Sequence, residues 1–170
     1  MSFQLRRARL SRSLVAVEVR VGDMSDEVNS DVSTPDDRFR VLTMGSVTFD
    51  LPETFPTVNL TEEDEPWRPL TIPVALPEAI SIAQAFGDQY APRPNSHDLF
   101  AALLREMKAD VIATRILRFE NGVYFAEIDI MTPKGRIQLP CRPSDGIAMA
   151  LRQAVPAPIL CTEEVLLSQN

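Results

Sequence analysis

Arg142-Pro143-Ser144-Asp145-Gly146-Ile147-Ala148-Met149-Ala150-Leu151-Arg152 reads as the end of a strand turning straight into a helix. Pro143 fits the first helical turn, where a backbone N–H is not needed. Ser144 and Asp145 are placed to cap the free amides there, and the carboxylate suits the positive end of the helix dipole. Ile147, Ala148 and Leu151 follow at helical spacing and give the helix a buried stripe. Arg142 and Asp145 are thereby brought to one spot, the mouth of the strand–helix joint. Upstream, Arg93-Pro94-Asn95-Ser96-His97-Asp98-Leu99 opens another helix in the same manner. These two Arg-Pro helix starts, each with its own Asp, are the most distinctive feature of the chain.

Between them lies the clearest β signal. Val111 to Phe119 runs into Asn121-Gly122, the signature of a type I′ hairpin, and returns as Val123 to Met131. On the return, Tyr124, Ala126, Ile128 and Ile130 alternate with Phe125, Glu127 and Asp129. Thr132-Pro133-Lys134-Gly135 turns into a strand over Arg136 to Cys141, which feeds the Arg142-Pro143 joint. Before the first helix start, Leu70 to Leu76 reads as a strand whose Pro73 cannot donate to a ladder and so marks an edge. Pro77 opens a helix over Glu78 to Phe86, with Ile80, Ile82 and Ala83 as packing residues and Gly87 as its stop. Asn95 or Ser96 caps the next helix, and Asp98 can answer Asn95 in a capping box. In that helix Leu99, Phe100, Leu103, Leu104 and Met107 recur at helical spacing, while Arg105, Glu106 and Lys108 face water. After the last joint, Pro156 and Pro158 bracket a short strand through Ile159-Leu160, and Thr162-Glu163-Glu164 caps a short helix over Val165 to Leu167.

The first part of the chain is different. Leu14 to Val21 reads as a strand, Gly22 to Asp37 as a long mobile loop, and Phe39–Leu42 with Val47–Leu51 as a hairpin about Gly45. Pro52 to Pro69, proline-rich and carrying Glu62-Glu63-Asp64-Glu65, reads as a second loop. The expected organisation is residues 1–69 as strands with acidic mobile loops and 70–170 as the core, the two making one compact domain. The element order argues an α+β fold with a largely antiparallel sheet and helices packed on it.

Length and composition agree: 170 residues, 45% of them hydrophobic, suffice for one domain with a real core. No apolar run is long enough to span a membrane, and Met1 to Arg12 lacks the apolar stretch of a signal peptide, so a cytoplasmic location is expected. Cys141 and Cys161 have no partners at ligand spacing and read as small buried hydrophobes at strand ends. The net charge of −7 is uneven: residues 1–22 carry +4, residues 23–65 carry −10, and residues 92–170 balance. No global basic field exists to attract nucleic acid.

At its two helix starts the sequence resembles the bifunctional nuclease domain family of bacteria and of plant defence proteins. That family reads Arg-Pro-x-Thr-His-Asp-Leu before one helix, matched here by Arg93, Pro94, Ser96 in place of Thr, His97, Asp98 and Leu99. Its second motif, Arg-Pro-Ser-Asp-Ala-Ile-Ala-x-Ala-Leu-Arg, is matched by Arg142 to Asp145, Ile147, Ala148 and Ala150 to Arg152, with Gly146 replacing Ala. The resemblance covers roughly residues 70–167; the acidic stretch over 23–65 is unlike the family. It implies nuclease activity on DNA and RNA, and a homodimer.

Hydrolysing a phosphodiester needs a positive group on the phosphate, a proton-transfer group and often a metal held by carboxylates. The residues offered are Arg93, Arg142 and Arg152 as phosphate forks, with Ser144 beside them. His97, the only histidine, is the acid/base candidate, and Asp98 and Asp145 could serve as bases or as ligands of Mg²⁺ or Mn²⁺. The structural alternative is that both Asp residues cap and that Arg142 with Asp98, or Arg93 with Asp145, cross-pair to lock the helix starts together. Two functions follow: a metal-assisted nuclease, or a non-catalytic dimeric interaction or regulatory module on the same fold. Both require the two helix starts to lie side by side.

Overall fold

The computed structural model describes residues 38–49, 55–87 and 92–168; the expected strand over 14–21 and loop over 22–37 lie outside them. Seven strands, β1 (Phe39–Thr48), β2 (Thr57–Glu62), β3 (Pro69–Pro73), β4 (Asp110–Glu120), β5 (Val123–Thr132), β6 (Gly135–Cys141) and β7 (Ile159–Thr162), form one sheet. Its order is β3-β2-β1-β7-β4-β5-β6. All neighbours are antiparallel except β4 and β7, so the α+β sheet is mixed but mostly antiparallel. The helices are α1 (Leu76–Phe86), α2 (Ser96–Glu106), α3 (Pro143–Ala150) and α4 (Glu163–Leu167).

The local chemistry explains most of these elements. Asn121 and Gly122 both have positive φ, as a type I′ turn requires, and set the long β4–β5 register. β3, with its two prolines, lies at the sheet edge, where a missing N–H costs no ladder bond. Cys161 is buried and Cys141 half-buried, both as free thiols.

Three expectations change. Gly45 is not a hairpin turn but sits at an irregularity inside the single strand β1, where its α-carbon lies so near β2 that a Cβ would come within 3.1 Å of the Asn59 carbonyl oxygen. Residues 52–69 are not one loop: Val58, Leu60 and Glu62 alternate inward and make β2 a buried strand, with the prolines outside its span. Glu62, read as part of an acidic loop, is buried and bound by Arg68, which also holds Glu163 at the start of α4. The third change is in the helices. In α1 the buried residues are Ala79, Ser81 and Ile82, while Ile80 is exposed. In α2 only Ala101 is fully buried, and Leu99, Phe100, Leu103 and Met107 lie in the open. These two helices lie at the rim of the core, which takes a narrower strip than their apolar spacing offers.

α3 is the central helix, packed against β4 and β5 on one side and against α1 and α2 on the other. Every residue from Pro143 to Ala150 except Asp145 is buried. Gly146 permits this depth. A Cβ there would stand 2.5 Å from Thr114 Cγ2 and 3.3 Å from Cys141 Sγ. Thr114, on β4, donates its hydroxyl proton to the Gly146 carbonyl at 2.9 Å, so the strand and the helix hold each other at that distance.

Gly146→Ala should destabilise the protein by about 1–3 kcal/mol through overpacking, although alanine favours helix by up to about 1 kcal/mol over glycine. Adding Thr114→Ser, which removes the clashing methyl and keeps the hydroxyl, should recover most of that loss in urea unfolding. Equal stability of Gly146→Ala and the native protein would show that the close approach is not limiting.

Candidate functional site

The two Arg-Pro helix starts meet. His97, in the first turn of α2, places Nε2 3.3 Å from Asp145 Oδ1 in the first turn of α3. α2 begins as the sequence implies, with Asn95 and Asp98 exchanging side-chain and backbone bonds in a complete capping box. α3 begins differently. Neither Ser144 nor Asp145 caps it, and Arg142 occupies the N-cap without a side-chain bond. The Asp145 carboxylate turns instead to Arg142, which grips it with Nε at 2.8 Å and Nη2 at 2.9 Å. Nη2 also reaches Glu78 of α1 at 2.8 Å.

Behind this pair stands a second arginine. Arg152, its side chain only 8% exposed, donates Nε to Asp98 at 2.8 Å, Nη1 to the Ala148 carbonyl at 2.9 Å and Nη2 to Ser81 Oγ at 2.9 Å. Ser81 Oγ lies 2.9 Å from His97 Nδ1. The ionised Asp145 carboxylate can only accept, so Nε2 carries the ring proton; in the neutral imidazole Nδ1 is then the acceptor and Ser81 donates to it. The Nε2–H then points at Asp145. Arg152, Ser81, His97, Asp145, Arg142 and Glu78 form one continuous chain of hydrogen bonds.

The carboxylates feel this wiring. Burial pushes Asp145 upward, but the bonds from Arg142 and His97 outweigh it and hold the group below the ordinary carboxylate range. For Asp98 burial likewise acts upward and is overcome by the Asn95 N–H and the Arg152 guanidinium. Both remain ionised at neutral pH. His97, Asp145, Glu78 and Arg142 line a cavity of about 670 Å³ whose remaining wall is largely apolar. Arg142 is 63% exposed there, and its Nη1 has no partner among the described residues. Glu78 Oε2 is buried without a hydrogen bond.

Of the residues singled out from sequence, His97, Asp145 and Arg142 come together. Asp98 lies behind them, tied to Arg152 rather than to Arg142. Arg93 is exposed just before α2, makes no ion pair among the described residues, and does not reach Asp145. Arg152 is consumed inside the helix cluster and offers no fork to a ligand. Ser144 is buried and faces a different cavity, of about 500 Å³. The Asp98 oxygens are taken by Arg152 and the Asn95 N–H, and those of Asp145 by Arg142 and His97. As oriented, these two carboxylates do not fit a shared divalent ion, and no group of three or more His, Cys, Asp or Glu among the described residues is arranged to hold one.

Ser81 and Glu78 escaped the sequence reading as site residues. Ser81, His97 and Asp145 carry the residue types of a hydrolytic triad, but Ser81 is 3% exposed and its oxygen faces Arg152, so the hydroxyl cannot meet a substrate. Its place is to orient the imidazole. Glu78, following the helix-opening Pro77, keeps with Ala79 its place in the resembling family's pattern, but as a residue type it reads as an ordinary first-turn acid.

The sequence model of the bifunctional nuclease domain family matches residues 58–170. Two uncharacterized proteins of Mycobacterium tuberculosis, from strains CDC 1551 / Oshkosh and H37Rv, are each 32% identical to this chain over 102 residues. The alignment covers 60% of this chain and 58% of theirs. No helix among the described residues is long and apolar enough to cross a membrane.

Arg152→Ala should cost about 2–3 kcal/mol of stability, somewhat less than loss of a fully buried partner because Asp98 is partly exposed. The pH dependence has a definite sign. A carboxylate held low in the folded state stabilises above its unfolded pKa, about 3.9 for Asp, and loses that contribution as pH falls through the folded value. Without Arg152 the burial of Asp98 acts with less opposition, so the loss begins at higher pH. Circular dichroism during acid titration should show the midpoint moving upward in Arg152→Ala and staying in place in Arg105→Ala.

Proposed function

Because the chain belongs to the bifunctional nuclease domain family, we propose that it hydrolyses phosphodiester bonds in DNA or RNA at the cavity where Arg142, His97 and Asp145 meet. The observation that carries this reading is the contact between His97 and Asp145 beside a largely exposed arginine. Arg142 is the phosphate fork: its Nη1 is free to donate while Nε and Nη2 stay on Asp145 and Glu78, which hold the guanidinium plane in place. His97 is the proton-transfer group at Nε2, held by Ser81 behind and Asp145 in front. Asp145 orients the ring. Water attacks phosphorus and releases its proton to solvent, the bond to the leaving oxygen breaks, and the imidazolium form of His97 gives its Nε2 proton to that oxygen and regains one from solvent. Arg93, exposed before α2, is available to a neighbouring phosphate.

The chain spans 58% of the length of the curated relatives it matches, and a partner-binding reading has an observation of its own. Leu99 and Leu103 on α2 and Met107 at its C-cap recur four residues apart and are 58%, 47% and 68% exposed. Such a row on a soluble surface marks an interface, and a second copy of this chain is the occupant the family resemblance implies. Leu103→Glu should shift the mass measured by light scattering from dimer to monomer; a monomeric native protein would remove this reading.

Purified protein incubated with plasmid DNA or with RNA, with Mg²⁺ or Mn²⁺ and separately with chelator, should degrade nucleic acid. His97→Ala and Asp145→Ala should each lower the rate by about 10²–10⁴-fold, the usual worth of a positioned acid or base. Undiminished activity in both variants would locate the chemistry elsewhere.

A further inference from the structure

We propose that the site takes single-stranded nucleic acid, seating the nucleotides on either side of one phosphate in two separate apolar cavities that share Arg142. The inference rests on the nuclease reading for what happens at that phosphate. The first cavity, about 670 Å³, is walled by Phe100, Leu104, Ile130 and Leu139 beyond its polar end. The second, about 500 Å³, is walled by Ile72, Phe119, Val123 and Tyr124. Both volumes fall within the range of about 300–1,000 Å³ usual for small-ligand sites. Arg142 is the one residue that lines both.

Each cavity thus pairs an apolar space with at least one aromatic ring, and the exposed guanidinium stands between them. This is the arrangement that splayed bases need: a π-face for each base and a cation for the phosphate that joins them. Phe100 is 59% exposed at the wall of the first cavity.

The charges argue against a duplex. A protein that follows a duplex backbone sets several cations along its phosphates. Here Arg142 is flanked by Glu78 and Asp145, both ion-paired to it, so further phosphates pressed onto this surface would meet carboxylates. Affinity must come from the bases, and in a duplex the bases are stacked away from any cavity. The second cavity also gives Ser144 a place: it lies on that side of Arg142, next to the incoming nucleotide rather than with His97.

The test is fluorescence anisotropy of a labelled single-stranded oligonucleotide and of its duplex over a salt series, with cleavage of both followed in parallel. The single strand should bind at least about tenfold more tightly. Its log–log salt slope should lie near −0.7 to −1.4, the release expected for one or two phosphates. Phe100→Ala and Val123→Glu, at positions 59% and 54% exposed, should each weaken binding about tenfold, as loss of one stacked base does. Val155→Glu, on the exposed segment before β7, controls for added charge and should bind as the native protein does. Equal or tighter duplex binding, a slope of about −4 or steeper, or native affinity in both cavity variants would overturn the two-cavity inference while cleavage left the nuclease reading intact. Single-strand binding of the expected pattern with no cleavage of any substrate would sink the nuclease reading and keep the cavities as a binding site. Absence of binding would sink both.

Discussion

The structure depends on one buried guanidinium. Arg152 leaves the end of α3 and bonds to α1 through Ser81, to α2 through Asp98 and to its own helix through Ala148. Three helices of different sequence position are held to one point by a group whose five N–H donors lie in a rigid plane. A lysine would supply the charge but not the planar fork, and could not meet three oxygens in fixed directions. The positive charge is tolerated at this depth because Asp98 neutralises it and neutral oxygens take the other donors. From that point the rest of the site follows: Ser81, held by Arg152, bonds His97 Nδ1, and the acceptor-only carboxylate of Asp145 takes the ring's Nε2–H.

Two arginines from one motif thus do opposite work. Arg142 lies at the surface with a donor to spare, whereas Arg152 is 8% exposed and bonded through all three of its nitrogens. The difference arises from the eight residues of α3 between them, which carry the chain from the rim of the sheet into the helix cluster. The same division explains the aspartates. Asp145 shares its carboxylate between Arg142 and the imidazole at the cavity wall, while Asp98 closes a helix cap and anchors the inner arginine.

What the sequence revealed was what short-range chemistry encodes. The Asn121-Gly122 hairpin, the Asn95–Asp98 capping box, the edge position of the Pro73 strand and the Gly87 stop each depend on residues within a few positions, and each stands in the structure. The meeting of His97 with Asp145 could be anticipated because the two helix starts carried matching residues and together resembled the paired motifs of one family. Contacts without such a mark stayed hidden. Ser81 is an unremarkable helix residue until Arg152, 71 positions away, reaches it, and Glu62 looked like one acid among four until Arg68 folded back over it. The strand β2 was masked by its flanking prolines, and Gly45 offered a turn residue where the sheet needed a close approach. The apolar row of α2 has helical spacing but no core to face, because spacing reports periodicity and not which side is covered.

The placement of α3 turns these local facts into a site. Successive residues of an α-helix point about 100° apart, so a helix start lying flat on a sheet directs neighbouring side chains to different places. Here Asp145 turns toward His97 and the larger cavity, Ser144 turns to the smaller one, and Arg142 at the N-cap borders both. That division requires the helix to sit close, because a raised helix would leave all three facing one open groove. The closeness is set by Gly146 against Thr114, where a single added carbon would meet the threonine methyl at 2.5 Å. A packing contact on the hidden side of α3 therefore fixes how the exposed side divides its residues between two cavities.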